Sequence, residues 1–440
     1  MKRNTVSRIL FIVLLTLGCS AAEVCAQGLA GTEFWFGLPQ NFRQSTQGRQ
    51  SNHEIILSIA GTVDANVSVT VAGEPLPNIQ LPANSVQHIQ IPETAVSYVA
   101  DEVTHRSVHV VSDQPVVLSL LDSRFQTTES MSILPVEFYG TDYVLTSYTP
   151  LAVDLVPSAV FVAMEDGTKV ELTSNNNVRW SSSYELNAGQ AVRIDGRHVS
   201  SPTDSSRPEP GEIDLTGFRL TSNKRISVVT GHKCAYVPAK TEACNFLIEH
   251  LPPTNMFGTR YVIPMIPGRK FEQMRVVPLH ADTRFKVAGL TYSVSKGAYK
   301  EITMEGGPFE LTADHAVMIV LYTPGYKSGD SIGDPSMLLV PPVDAWEKTC
   351  VFSVPNTKTW MPTVSVVGSP ELVSTLVINS KELPEITDVH ATDGFIQLDM
   401  PMRGEFMTLS APYPMMVIVS SQTRNFEAYD GFSTFSTWGR

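Results

Sequence analysis

Four stretches of this chain share one pattern: an apolar strand, a short polar break, and a second apolar strand. They read VHVVSDQPVVLSLL (Val108–Leu121), FRLTSNKRISVVTG (Phe218–Gly231), FELTADHAVMIVLY (Phe309–Tyr322) and FMTLSAPYPMMVIVS (Phe406–Ser420). Apolar and polar residues alternating with a period near two mark half-buried strands. The break carries Ser, Asp, Asn or Pro, residues that hydrogen-bond locally or fix φ. It therefore predicts that one strand stops and the next starts displaced. Such a jog lets successive strands serve different sheets of a sandwich. A chain that repeats this pattern four times is built from four copies of one unit.

Other marks recur in step. Each unit opens with a Gly-Thr-type turn into an apolar strand, at Gly31-Thr32, Gly140-Thr141 and Gly258-Thr259, with a degenerate fourth copy at Glu347-Lys348. The intervals are 109, 118 and 89 residues, sizes that suit β-sandwich units. A tight turn with alternation follows in mid-unit, at Asn66–Val71, Asp166–Leu172, Asp282–Val287 and Thr375–Ile378. The Asp166-Gly167 pair is a hairpin signal. Junctions repeat as Ile133-Leu134-Pro135, Leu251-Pro252-Pro253 and Val340-Pro341-Pro342. Proline makes them short and stiff, which predicts a compact or gently bent array. The fold class expected is all-β, a tandem array of about four β-sandwich-like repeats. The divisions are a signal peptide at 1–26, unit A at 27–126, unit B at 127–246, unit C at 247–338 and unit D at 339–440. Ser200–Glu212, rich in Ser and Pro, reads as an exposed insertion in unit B.

The start of the chain predicts export. Lys2, Arg3 and Arg8 form a basic region, Ile9–Leu15 is apolar, and Val24-Cys25-Ala26 suits cleavage before Gln27. The apolar run is far short of the roughly 20 residues that span a bilayer. A lipoprotein reading through Cys19 is weak, because Thr16 stands where an aliphatic residue is wanted. Cleavage would leave 29 basic and 43 acidic residues, a net charge of −14. That charge argues against nucleic acid or an anionic membrane as partner. Of the three cysteines that remain, the close pair Cys234 and Cys244 should bridge in an oxidising compartment. Cys350 is left over, as a buried strand thiol or as an intermolecular bridge making a homodimer. Asn66-Val67-Ser68 is an N-glycosylation sequon.

Few residues suggest chemistry. His232, Glu249 and His250 lie near the cysteine loop and raise the idea of a hydrolytic site. Adjacent residues on a strand point to opposite faces, however, and no HExxH helix is present. Two cysteines without well-spaced histidines make zinc unsuitable. Ser293-Val294-Ser295-Lys296 matches SxxK, but it sits in an alternating strand and not on the helical turn that motif needs. Phe34, Trp35 and Phe36 fit either an aromatic platform or a sandwich core. The tail Phe432–Trp438 either completes unit D or covers a strand edge.

The marks together resemble the IgG Fc-binding protein N-terminal region family. The resemblance rests on Gly31–Gly37 with Gln40-Asn41, on Ser112-Asp113-Gln114-Pro115, and on Asp214-Leu215-Thr216-Gly217 followed by Gly231-His232-Lys233-Cys234. Cys244, Leu251-Pro252-Pro253, Gly258–Tyr261 and Gly333–Met337 extend it over the chain after residue 26. It implies an extracellular, non-enzymatic, adhesive or mucus-type module that binds proteins or glycoproteins, without cofactor. The family's larger mucus member continues into cysteine-dense von Willebrand D-type repeats, where a Gly-Asp-Pro-His motif self-cleaves. Here Gly333-Asp334-Pro335 is followed by Ser336, and no cleavage is expected. The competing expectations are a carbohydrate-binding protein and a hydrolase near His232.

Overall fold

The structure is a computed structural model. It describes residues 28–42, 53–124, 127–152, 154–174, 181–196, 213–328, 333–354, 360–379, 385–392, 394–402, 404–423, 432–436 and 438–439. The expected signal peptide and the Ser200–Glu212 insertion lie outside these residues.

Each repeated stretch forms one long strand: Val108–Arg124, Arg219–Tyr236, Phe309–Thr323 and Phe406–Thr423. This corrects the expectation of two separate strands, and the register shows what the polar break does. The opening strands Gly31–Phe36, Gly140–Val144, Gly258–Ile263 and Glu347–Ser353 each pair with the first half of their long strand. In unit A the partners step from Glu33↔Val111 to Gly31↔Val116, so Ser112–Pro115 arch out of the ladder. The same four-residue arch falls at Ser222–Arg225, Ala313–Ala316 and Ala411–Pro414. An insertion of this kind bends a strand without ending it.

The two halves then serve different neighbours. The first half pairs with the opening strand and, on its other side, with a hairpin strand: Ala65–Val71, Thr168–Thr173, Thr283–Val287 or Val377–Asn379. The second half pairs with an inner strand (Glu54–Gly61, Pro157–Ala163, Phe271–Pro278, Trp360–Gly368) and with an exit strand. The exit strands are Thr127–Ile133, Cys244–His250, Ser336–Val340 and Phe432–Ser436. In unit A, Phe34, Leu57, Val69, Val110 and Leu118 from both halves share one apolar core. The protein is all-β, with the long strand running through both layers of each sandwich.

Hydrogen bonding ties each exit strand to the long strand before it. The sequence-based boundaries at 246/247 and 338/339 fall inside Cys244–His250 and Ser336–Val340, and the four large sheets draw on residues 31–133, 140–250, 258–340 and 347–436, with Val103–Thr104 joining the second. The tail Phe432–Ser436 pairs with unit D's long strand and completes its sheet. The hairpin region of unit D differs from the others: Leu372–Thr375 is a single α-turn, and only Val377–Asn379 is strand.

The opening glycines and the junction prolines meet in space. An ideal Cβ on Gly31, Gly140 or Gly258 would fall 2.3, 2.6 or 2.3 Å from the Cβ of Pro135, Pro253 or Pro342. Any side chain there would drive the proline out. Each of these prolines caps a 3-10 turn (Val136–Phe138, Thr254–Met256, Val343–Ala345) with φ between −64° and −76°, which the ring fixes in advance. The two recurring sequence marks are therefore opposite sides of one contact between successive units.

The array closes on itself. Exit strands pack in sequence, A against B, B against C and C against D, and D's packs back against A's. Ser119 Oγ of unit A donates to the Ser353 carbonyl of unit D at 3.3 Å. An ideal Cβ on Gly28 would lie 3.3 Å from the Trp438 carbonyl, and Gly439 N–H donates to Ala345 at 2.6 Å. The expected gentle bend is a full turn. No helix among the described residues is long and apolar enough to cross a membrane.

Candidate functional site

The exit strands face one another with free edges, and a buried edge leaves backbone groups that need partners. Side chains of neighbouring units supply them. Glu129 Oε2 accepts Met337 N–H at 3.0 Å, and Glu249 Oε1 accepts Leu339 N–H at 3.1 Å. Asn245 accepts Thr128 N–H at 2.8 Å and donates to the Thr128 carbonyl at 2.7 Å. His250 Nδ1 accepts Leu134 N–H at 3.2 Å. The neutral ring must then carry its proton on Nε2 and donate it to Ser227 Oγ at 3.1 Å. A serine nucleophile needs the reverse direction. Burial pushes His250 down to about 3 and lifts Glu249 well above the carboxylate range. Glu249 and His250 thus serve the hub, and neither reaches solvent.

His232 lies elsewhere, in the seam between units B and C. It is fully buried, its Nδ1 accepts Cys234 N–H at 3.1 Å, and burial above all lowers it to about 3. At the same seam Arg275 of unit C, only 1% exposed, reaches into unit B. Its Nη1 donates to the Ser147 carbonyl (2.7 Å), Asp214 Oδ2 (2.8 Å) and Thr216 Oγ1 (3.1 Å), and its Nε to Glu301 (2.7 Å). Tyr148 and Tyr299 hold its guanidinium carbon 4.3 and 4.0 Å from their ring centres. Burial favours a neutral Asp214, but the Arg275 charge and hydrogen bonds from Thr216 outweigh it and keep the carboxyl below its usual value. The Asp214–Gly217 motif is thus the socket for an arginine about 60 residues away. Gly231, in the companion motif, sits where a Cβ would be 1.9 Å from the Leu247 carbonyl.

Cys234 and Cys244 form a disulfide across the hairpin between unit B's long and exit strands. The loop it closes docks on unit C: Gly325 N–H donates to the Val237 carbonyl at 2.8 Å, and Lys327 pairs with Glu242.

On the outer side of the seam lies a cleft of about 580 Å³, walled by Asp142, Arg219 and Thr173 of unit B and by Leu279, His280 and Lys296 of unit C. Arg219 grips Asp142 with Nε and Nη2, both at 2.6 Å, and Thr254 Oγ1 donates to the same carboxylate at 2.9 Å. Burial alone would raise Asp142, but these hydrogen bonds prevail and keep it ionised below its ordinary value. The result is an oriented guanidinium, 41% exposed, at a junction of two rigid units.

The remaining expectations resolve by position. Phe34 and Phe36 are core residues, while Trp35 stacks on His109 at 3.7 Å and packs against Val160 and Val162 of unit B, so the three form no platform. Ser293 is in the strand Leu290–Val294 and Lys296 in the turn after it, which separates the SxxK pair. Cys350 is 1% exposed inside unit D's core, out of reach of a second chain while the unit is folded. Asn66 is exposed, with Nδ2 donating to Asp113 Oδ2 at 2.7 Å. Sequence reasoning missed Arg275 and Arg219. The one hint was an arginine alternating with apolar residues in each strand, the ordinary look of a solvent face. Among the described residues no group of His, Cys, Asp and Glu could hold a metal ion.

The geometry defines a class: a closed ring of four β-sandwich units whose buried charges hold units together and whose open polar surface lies at a junction. Residues 129–420 match the family described as IgGFc binding protein, and the chain belongs to that family. It is 24% identical over 287 residues to the human (Homo sapiens) IgGFc-binding protein. The alignment covers 64% of this chain and 5% of the relative's length. The family match begins inside unit A's exit strand, yet unit A repeats the same strand pattern upstream of it.

Proposed function

We propose that this chain is a secreted, non-enzymatic binding module of adhesive or mucus type, with extracellular proteins or glycoproteins as partners. The observation that carries this reading is the commitment of the buried ionisable groups to assembly. His250 donates to Ser227, Glu249 caps a strand edge, and Asp214 receives Arg275. The export signal ahead of Gln27 and the sequon at Asn66 support the extracellular setting. A glycan on Asn66 would leave its amide one N–H to keep the Asp113 bond. The four large sheets, drawn mainly from residues 31–133, 140–250, 258–340 and 347–436, support this division of the module into four units.

The test is capture. The chain from Gln27 onward is immobilised, native extracellular fluid is passed over it, and retained proteins are identified, with purified antibody Fc as a separate defined probe. Saturable retention of a glycoprotein, whether or not Fc binds, supports the reading. Turnover of ester, peptide or glycoside substrates that is lost in His232→Asn would replace it with the hydrolase reading.

A further inference from the structure

The cleft between units B and C has a chemistry of its own. The chain carries a net charge of −12, yet this wall brings together Arg219, Lys296 and His280 against one acid, Asp142. Asp142 is already engaged: it takes two bonds from Arg219 and one from Thr254, and Lys296 adds to the field that keeps it ionised. An arginine held from one side by a bidentate carboxylate is preorganised for a second anion on its open side. The rest of the lining mixes hydroxyls (Thr173, Ser174, Ser295) with a larger apolar surface to which Val144, Pro278, Leu279 and Ala281 contribute. Its volume, about 580 Å³, falls in the range of small-ligand sites.

We propose that this cleft binds the carboxylate-bearing terminal sugar of an acidic glycan. The proposal rests on the binding-module reading and names the ligand class for it. An acidic sugar offers what the walls accept: a carboxylate for Arg219, hydroxyls for the serine and threonine side chains, and an apolar ring face for Pro278 and Leu279. An extended peptide fits less well, because strand addition needs an open sheet edge. Here the edge of the opening strand Gly140–Val144 is covered by the turn Thr254–Met256. The other walls are the turns around Leu279 and Lys296.

The experiment uses the whole chain from Gln27, with 3′-sialyllactose, lactose and a short glutamate-rich peptide as probes, read by calorimetry or by saturation-transfer NMR. Sialyllactose should bind and lactose should bind at least tenfold more weakly. Arg219→Gln should weaken sialyllactose tenfold or more, and the exposed Lys296→Gln severalfold with an unchanged melting temperature. Equal binding of the two sugars, or wild-type binding by both variants, overturns the proposal, and preferential binding of the peptide replaces the ligand class. If no sugar binds while native fluid still yields a saturable partner, the glycan assignment fails and the module reading stands. If neither is retained, both fail.

Discussion

Units B and C, and units C and D, meet through the same opening-glycine and junction-proline contact, but the chemistry around it differs. At the B–C seam a buried arginine is gripped by two carboxylates, a carbonyl and two tyrosine rings. At the C–D seam the polar link described is an amide: Gln397 Oε1 accepts Met265 N–H at 3.0 Å and Nε2 donates to the Met265 carbonyl at 2.8 Å. Beside it Val367, Phe395, Met416 and Ile418 of unit D merge into unit C's core, and Arg260 of unit C lies over the Phe395 ring at 5.2 Å. A neutral amide and hydrocarbon tolerate repacking. A desolvated ion cluster does not, but it fixes how the two units sit. The seam with the fixed geometry is also the one that frames the cleft.

Four measurements would break or sharpen this contrast. Arg275→Met has the largest expected effect. Removing one partner of a buried pair costs about 3–5 kcal/mol, and the value should fall near the lower figure because Asp214 and Glu301 keep 16% and 31% of their side-chain surface. Denaturant unfolding measures it, and a loss under 1 kcal/mol would show that the cluster holds nothing together. Next comes Cys234→Ser with Cys244→Ser. Opening a loop with sequence separation 10 should cost roughly 2.5–3 kcal/mol in the chain-entropy model, and hydrogen exchange should rise in residues 235–243 and 325–328 first. Gln397→Ala should cost about 1–2 kcal/mol through the two backbone groups of Met265 left without partners. Denaturant unfolding at pH 7 measures it.

Last comes the pH dependence, which is spread over several groups rather than set by one substitution and belongs to unit B. His232 and His250 sit at about 3 in the folded chain, against about 6.5 unfolded. Below about 6.5 the unfolded state binds more protons, so stability falls as pH drops toward 3, by about 1.4 kcal/mol per pH unit for each histidine. Glu249, raised by burial, acts in the opposite sense above its ordinary value and offsets part of the loss. Asp214, depressed by its partners, adds to the loss below about 4. Urea midpoints across pH 7 to 4 should show the slope, and His250→Gln should reduce it by one histidine's share. A flat profile for the parent chain would contradict the burial of both rings.

What could be read from the sequence was whatever local chemistry enforces. Gly140 and Pro253 were visible because a missing Cβ and a fixed φ are properties of single residues. The Ser-Asp-Gln-Pro break was visible because serine bonds its own backbone, as Ser222 does to the Lys224 carbonyl at 2.6 Å, but the service of Asp113, Asn223 and Asp314 to an N–H of the adjoining hairpin strand, at 2.8, 2.7 and 2.8 Å, was not. Alternation could not distinguish an arch in one strand from a gap between two, so the long strands were read as pairs. Ring closure was invisible for a different reason, since Gly28 and Trp438 share no local pattern and meet only in the folded chain. Arg275 was hidden in the same way, in a strand reading FEQMRVVP, where only the partner unit turns an apparent outward charge into an internal one. The cysteine pair was legible from spacing, its docking on Gly325 and Lys327 was not.

The meeting of Gly28 with Trp438 and Glu347 has a mechanical consequence. When the two ends of the ring are drawn apart, the load path does not run through the successive seams in series. It crosses the D–A closure first, where the exit strands Phe432–Ser436 and Thr127–Ile133 pack and Ser119 meets Ser353. The B–C seam is shielded from tension until that fastening lets go, so a ligand seated there would feel shear on the whole body only after the circle had been opened.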